Sequence, residues 1–316
     1  MIIEVPANTR RKFGWSKRQK ALAEHVIQKV EELQDYQPLT LRQVYYRLVA
    51  SEIIPNKKTA YSDLSSLISR MRIDRMLPWE AVEDRVRRVT TKQGIENPLE
   101  FIKQQVERFG AGYRRCLVQN QRNYVEVWCE KDALAKIFES VANGYCLRTV
   151  VCRGYNSTSF LHDYSIRANE AIERDQTPVV IYFGDLDPSG WNCLEATAIS
   201  LRDDFGLENV VYDRAGLNPD QVSEFSLPCS VDALKDQDTR SKSYIKRFGR
   251  IAVELDAVHP RDLEALAKDA IFRHLGFDMM VEQYERQKTD QEKVTAIKSW
   301  VTDVVNYAYS EGILQD

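Results

Sequence analysis

"VVIYFGDLDPSG", residues 179–190, decides how this chain folds. Five apolar or aromatic residues run into a glycine, then two aspartates one residue apart, then a Pro-Ser-Gly turn. A short apolar run bounded by turn residues reads as a strand buried on both faces, as in parallel sheets. "YVEVW" (124–128), "LRTVVC" (147–152) and "NVVYD" (209–213) share that texture. Helical stretches separate these runs, one from 131, one near 157–174 and one at 188–204. Such alternation predicts βαβ units and a mainly parallel sheet, hence an α/β fold. "GRIAVELDAVHP" (249–260) adds one more extended or irregular piece, and helical stretches near 261–275 and 279–311 close the chain.

The first third has a different pattern. Residues 16–34 place Leu22, Val26, Ile27, Val30 and Leu33 at helical spacing, with Ser16 as a cap. "TLRQVYYRLVASE" (40–52) reads as a second helix and "TAYSDLSSLISRMRIDRML" (59–77) as a third, striped by Leu64, Leu67, Ile68 and Met71. Residues 78–91 hold a wing or another short helix, and 98–115 reads as a connecting helix. Three helices with short connections and a basic extended piece suit a helix-turn-helix or winged-helix domain. The change of pattern near 119 predicts two domains, 1–118 and 119–316.

Charge follows the same division. Residues 1–120 hold 22 Lys and Arg against 14 Asp and Glu, and the remainder holds 22 against 33, for a net charge of −3. A basic first third beside an acidic remainder points to a polyanionic partner for the former. No apolar run reaches the roughly 18 residues of a membrane helix, so no membrane partner is expected. The opening residues have neither the apolar core nor the cleavage site of a signal peptide. The six cysteines are scattered without a CxxC pair, which argues against a disulfide framework or a zinc site and for a reducing, cytoplasmic setting.

Functional groups in parallel α/β sheets gather at the carboxyl ends of strands. Glu130 directly follows one predicted strand; Asp185 and Asp187 directly follow another. Two carboxylates that close repel unless a cation compensates. Mg²⁺ takes hard oxygen ligands, often one or two carboxylates, and completes its shell with water and phosphate. The pair is thus a candidate metal site. Asp-x-Asp before Pro and Gly is equally a turn composition, in which Asp187 simply caps the helix that starts at Pro188.

"VEVWCEKDAL" (125–134) followed by "VVIYFGDLDPSG" resembles the Toprim domain of topoisomerases, primases and several nucleases, over about residues 120–215. The resemblance implies a Rossmann-like parallel sheet. It also implies that Asp185 and Asp187 hold Mg²⁺ (or Mn²⁺), and that Glu130 binds metal or acts as general acid/base. "LTLRQVYYRLV" (39–49) in turn resembles the Arg-(Asp/Glu)-Ile-Tyr-Tyr motif of the DNA topoisomerase VI A subunit and the related meiotic double-strand-break endonuclease. Those proteins place a tyrosine-bearing winged helix before a Toprim domain, in the order found here. The resemblance makes Tyr46 the attacking tyrosine and Arg42 its arginine; Gln43 departs from the family's acid. Glu254 and Asp256, in a looser match, are second-rank candidates.

The chemistry so implied is transesterification: Tyr46 attacks a backbone phosphate of duplex DNA and leaves a 5′-phosphotyrosyl link. Arg42 is expected to lower the phenol's pKa, and the metal to stabilise charge on phosphate. In the family the tyrosine of one subunit works with the partner's metal, so a homodimer is implied. No Gly-rich ATP-binding motif is present, so an ATPase would be a separate subunit. Lys57, Lys58, Arg70, Arg72 and Arg75, with Arg85, Arg87 and Arg88 in the possible wing, are candidate phosphate contacts. Read from the residues alone, Tyr45, Tyr46, Tyr61 and Trp79 are equally core or boundary packing, and the basic residues a solvated face. Two other functions stay open: a Toprim nuclease that hydrolyses DNA or RNA with no tyrosine intermediate, and a DNA-binding protein with no catalysis.

Overall fold

Ser16 accepts the backbone N–H of Gln19 while the Gln19 side chain accepts that of Ser16, a reciprocal cap that starts α1 (Lys17–Glu32). Thr40 and Gln43 make the same arrangement at the start of α2 (Leu41–Ala50). Next come α3 (Lys58–Ile73), α4 (Pro98–Arg108), β1 (Asn123–Cys129), α5 (Ala135–Gly144) and β2 (Arg148–Val151). They are followed by α6 (Thr158–Ile172), β3 (Thr177–Phe183), α7 (Pro188–Asp203) and β4 (Val211–Gly216). Finally α8 (Pro219–Glu224), α9 (Thr239–Phe248), α10 (Pro260–His274) and α11 (Phe277–Ser310) complete the chain. This computed structural model describes residues 14–82, 97–229, 234 and 239–313. No helix among them is long and apolar enough to cross a membrane.

The chain forms two compact units of interleaved stretches. The first comprises the described residues of Met1–Val86, Gly184–Asn192 and Gly216–Leu263; the second comprises those of Arg87–Phe183, Cys193–Ala215 and Glu264–Asp316. A single cut after residue 118, as read from the sequence, is not how the contacts divide. The reason is local: residues 252–258 bury Ala252, Val253, Leu255, Ala257 and Val258 within the first unit, beside α2.

In the first unit, α1, α2 and α3 pack on one another through Val26, Val30, Val44, Leu48, Leu64, Leu67, Ile68 and Met71, all buried. The stripe expected on α3 is the buried one. Burial of each such side chain contributes about 1.5–3 kcal/mol. Leu39 pairs with Val82 in an isolated parallel bridge. The three helices expected of a helix-turn-helix are therefore present; residues 83–96, where a wing would follow, lie outside the described residues.

The second unit is built on a parallel four-stranded sheet in the order β2-β1-β3-β4. β1 lies between β2 and β3, with Cys129 opposite Val151 on one side and Phe183 on the other. Trp128, Val180 and Tyr182 join Leu161, Tyr164 and Leu201 in one core cluster. Because the chain leaves β1 toward one edge and β3 toward the other, their carboxyl ends form the topological switch point, where open α/β sheets bind ligands. The predicted 98–115 helix stops at Arg108. Gly110 follows with φ +74°, and a Cβ there would run into Val294 of α11.

Candidate functional site

The residues after β3 sit in the first unit, held by backbone pairing. Gly184 donates to Gly216 O and accepts from Leu217 N, at 2.8 Å each. Leu186 exchanges both hydrogen bonds with Val253, at 2.9 and 3.0 Å, in an antiparallel bridge. That bridge brings in residues 253–256. The Leu255 N–H donates to Asp185 Oδ1 at 2.9 Å, so the buried Asp185 carboxylate is fixed in direction. Asp187 Oδ1 accepts the Gly190 N–H at 2.7 Å, and its carbonyl accepts the Trp191 N–H at 3.0 Å. Asp187 therefore caps α7, the plainer of the two roles its sequence context suggests.

Glu254 and Asp256, two positions apart in the same segment, both meet Arg42 of α2. Arg42 Nη1 lies 2.6 Å from Glu254 Oε2 and 3.7 Å from Asp256 Oδ2. Asp256 is fully buried, whereas Glu254 and Arg42 are partly open to solvent. One turn along α2, Arg47 donates to the Ala257 carbonyl. Two arginines at i and i+5 thus bind the 254–257 segment to one helix. Leu255–Ala257 form a single 3₁₀ turn, and Arg42 compensates the charge of the acids on either side of Leu255, the buried Asp256 included.

Tyr46 completes this group. Adjacent helical residues point about 100° apart, and the two tyrosines separate accordingly, although their rings touch edge-on at 5.1 Å. Tyr45 Oη donates to Asn56 Oδ1 at 3.1 Å, whereas Tyr46 directs its phenol at Glu254. Burial pushes the Tyr46 phenol well above its ordinary value, and the Glu254 charge raises it further. Arg42 acts downward, as expected from the sequence, but is outweighed. Tyr46 is therefore a neutral phenol beside a carboxylate, not a pre-formed phenolate. Burial draws the Arg42 guanidinium down, yet Glu254 and Asp256 carry it above its ordinary value.

Gln43 is the third helical residue of the α2 cap: its side chain accepts the Thr40 N–H at 2.8 Å. Its amide does the capping work an acid would do there. Glu130 belongs to the second unit, directly after β1. Its N–H donates to Phe183 O at 2.8 Å and its carbonyl accepts from Arg153 N at 3.1 Å. Among the described residues, no group of three or more His, Cys, Asp or Glu is placed to hold a metal ion. Burial pushes the Cys152 thiol, just beyond β2, up to about 12, so it is not a thiolate nucleophile at neutral pH.

Of the basic residues, Lys57 and Lys58 are exposed at the start of α3. Arg70 stacks 4.7 Å over the Trp15 ring, and Arg72 lies 5.3 Å over Trp79 while donating to its carbonyl at 3.2 Å. Arg75 follows α3 with φ +61°. Arg85, Arg87 and Arg88 lie outside the described residues. Trp79 is 61% exposed, so core packing does not explain it, whereas Tyr61 packs edge-on against Tyr45 at 5.2 Å. No family model and no curated protein matches this chain.

Sequence reading ranked Glu254 and Asp256 second. In the structure they are the ionic partners of Arg42, and the Glu254 charge raises the Tyr46 phenol. Their spacing alone was no signal, because residues 255–257 form a 3₁₀ turn, in which positions two apart do not share a face as they do on a strand. Neutralising Glu254 removes a charge that raises the phenol. Glu254→Gln is accordingly expected to lower the Tyr46 titration toward the ordinary tyrosine range. A tyrosinate absorbance titration, read as the difference from a Tyr46→Phe chain, measures it; an unchanged or raised midpoint would contradict the assignment.

Proposed function

We propose that this chain cleaves duplex DNA by transesterification through Tyr46. The observation that carries the reading is the Tyr46–Glu254–Arg42 group: a nucleophile, a proton acceptor and a cation gathered on one side of α2. In the step itself, Tyr46 Oη bonds to a backbone phosphorus as the bond from phosphorus to the 3′ oxygen breaks. The phenol's proton passes to Glu254. The departing 3′ oxygen takes up a proton from solvent, and the 5′ phosphate remains on the tyrosine. Arg42, held by Glu254 and Asp256, keeps the carboxylate oriented and supplies positive charge next to the entering phosphate.

Asp185 and Asp187 fit Mg²⁺ or Mn²⁺ of the kind held by few carboxylates. Asp185 Oδ1 accepts the Leu255 N–H and Asp187 Oδ1 the Gly190 N–H, and a carboxylate offers several lone-pair sites, the hard oxygen chemistry such an ion takes. When bound, such an ion offsets negative charge on the phosphate. The first unit's three helices, in the winged-helix reading, would carry the duplex, with Lys57 and Lys58 on phosphates. Two copies, each contributing one such group, are needed to cut both strands.

Incubation of the chain with duplex DNA and Mg²⁺, stopped with detergent, tests this. Protein retained covalently on 5′ ends is the expected result. Cut DNA with free ends would instead establish hydrolysis by water, a reading favoured by the neutral, buried state of the Tyr46 phenol.

A further inference from the structure

The second unit carries a surface outside the Tyr46–Glu254–Arg42 group. α11 spans 34 residues, a rod of about 50 Å. One side of it meets α4 and the turn after it. Val294 lies against Gly110, Lys298 Nζ donates to Glu107 O at 2.6 Å, and Lys103 sits 5.5 Å over the Tyr309 ring. The other side is apolar and uncovered among the described residues: Ile297 is 51% exposed, Trp300 66%, Val304 48% and Tyr307 64%.

These four residues are spaced three, four and three apart, the seam of a coiled coil. Together they present roughly 500 Å² of side-chain surface, within the range of the largest patch on an ordinary monomer and most of the ~800 Å² each partner gives a stable interface. The next seam position toward the N-terminus is Lys293, 74% exposed in its side chain. The next toward the C-terminus is Glu311, also exposed. The seam therefore runs from a cation, through four apolar residues, to an anion, and it is symmetric about residue 302.

We propose that this stripe is a self-association surface on which α11 of a second copy packs antiparallel. In that register Ile297 meets the partner's Tyr307, Trp300 meets the partner's Val304, and Lys293 meets the partner's Glu311, each twice. Parallel packing would set lysine on lysine and glutamate on glutamate, which like-charge repulsion disfavours. Charge complementarity thus selects both the occupant and its direction. The proposal rests on α11 alone and holds or fails independently of the cleavage chemistry.

Sedimentation equilibrium of the full chain tests it. The parent is expected to dimerise, and Trp300→Glu to weaken the dimer ~30-fold or more, with unchanged circular dichroism because the residue is exposed. Lys293→Glu or Glu311→Lys alone is expected to weaken it by up to ~10-fold; the two swaps combined are expected to restore it. A parent that stays monomeric, a dimer indifferent to Trp300→Glu, or single swaps without effect would each overturn the proposal, the last being the result for parallel packing.

Discussion

Tyr46→Phe is expected to eliminate protein-linked 5′ ends and to reduce cleavage by at least ~10³-fold, the scale of removing a nucleophile from a group that acts together. The substitution keeps the buried ring and removes one oxygen. It costs about 1 kcal/mol of stability, because Glu254 keeps its ion pair with Arg42 when the phenol is gone. DNA affinity should change little, since Lys57 and Lys58 stand at the start of a different helix. Filter retention after detergent, gel analysis of cut ends and a binding titration separate the three quantities. A Tyr46→Phe chain that cuts as well as the parent would end the tyrosine mechanism.

The same chemistry sets a pH dependence. Because burial and Glu254 raise the phenol, phenolate is scarce at neutral pH, and its fraction grows tenfold for each pH unit below the midpoint. With Glu254 accepting the proton, the parent's rate is expected to rise less steeply than that fraction. Glu254→Gln has no such acceptor, so its rate should follow the phenolate fraction with a slope near one. Rates across the neutral to alkaline range measure both slopes; equal slopes would remove Glu254 as the proton acceptor.

Local features were legible in the sequence. β1 and β3 are apolar runs because both faces of a central parallel strand are buried, and α3 shows its buried stripe at helical spacing. Ser16 was readable as a cap because a hydroxyl at that position reaches a backbone N–H only three residues away. Pairings across long stretches of chain were not. Arg42 and Glu254 are 212 positions apart, and nothing in "GRIAVELDAVHP" indicates that its acids face α2. Nor does helical periodicity show where a helix stops for steric reasons, as at Gly110 against Val294. Trp79 read as core or boundary packing, because composition alone does not reveal that its ring stays mostly exposed beside Arg72.

Glu126 is the residue whose importance was least visible in the sequence, and its loss should damage the fold most. In "YVEVW" it is the one charged residue of an otherwise apolar strand, and it is fully buried. Arg167 of α6 reaches it through Nε at 2.7 Å and Nη2 at 3.2 Å. Tyr124 Oη at 2.6 Å and Trp128 Nε1 at 2.9 Å donate to the same carboxylate. Residues 124, 126 and 128 share one face of β1, so the strand's period places both aromatic donors beside the acid. The hydrogen bond from Arg167, with the Glu126 charge, carries the guanidinium well above its ordinary value. Glu126→Ala leaves one cation and two donors without their acceptor, and is expected to cost about 3–5 kcal/mol. Removing both charges at once with Glu126→Leu and Arg167→Met should recover much of that loss, because well-packed apolar residues need no partner. Denaturant midpoints of the single and double variants decide it. A single variant within about 1 kcal/mol of the parent, the scale of an exposed pair, would show that this network is not what holds α6 to the sheet.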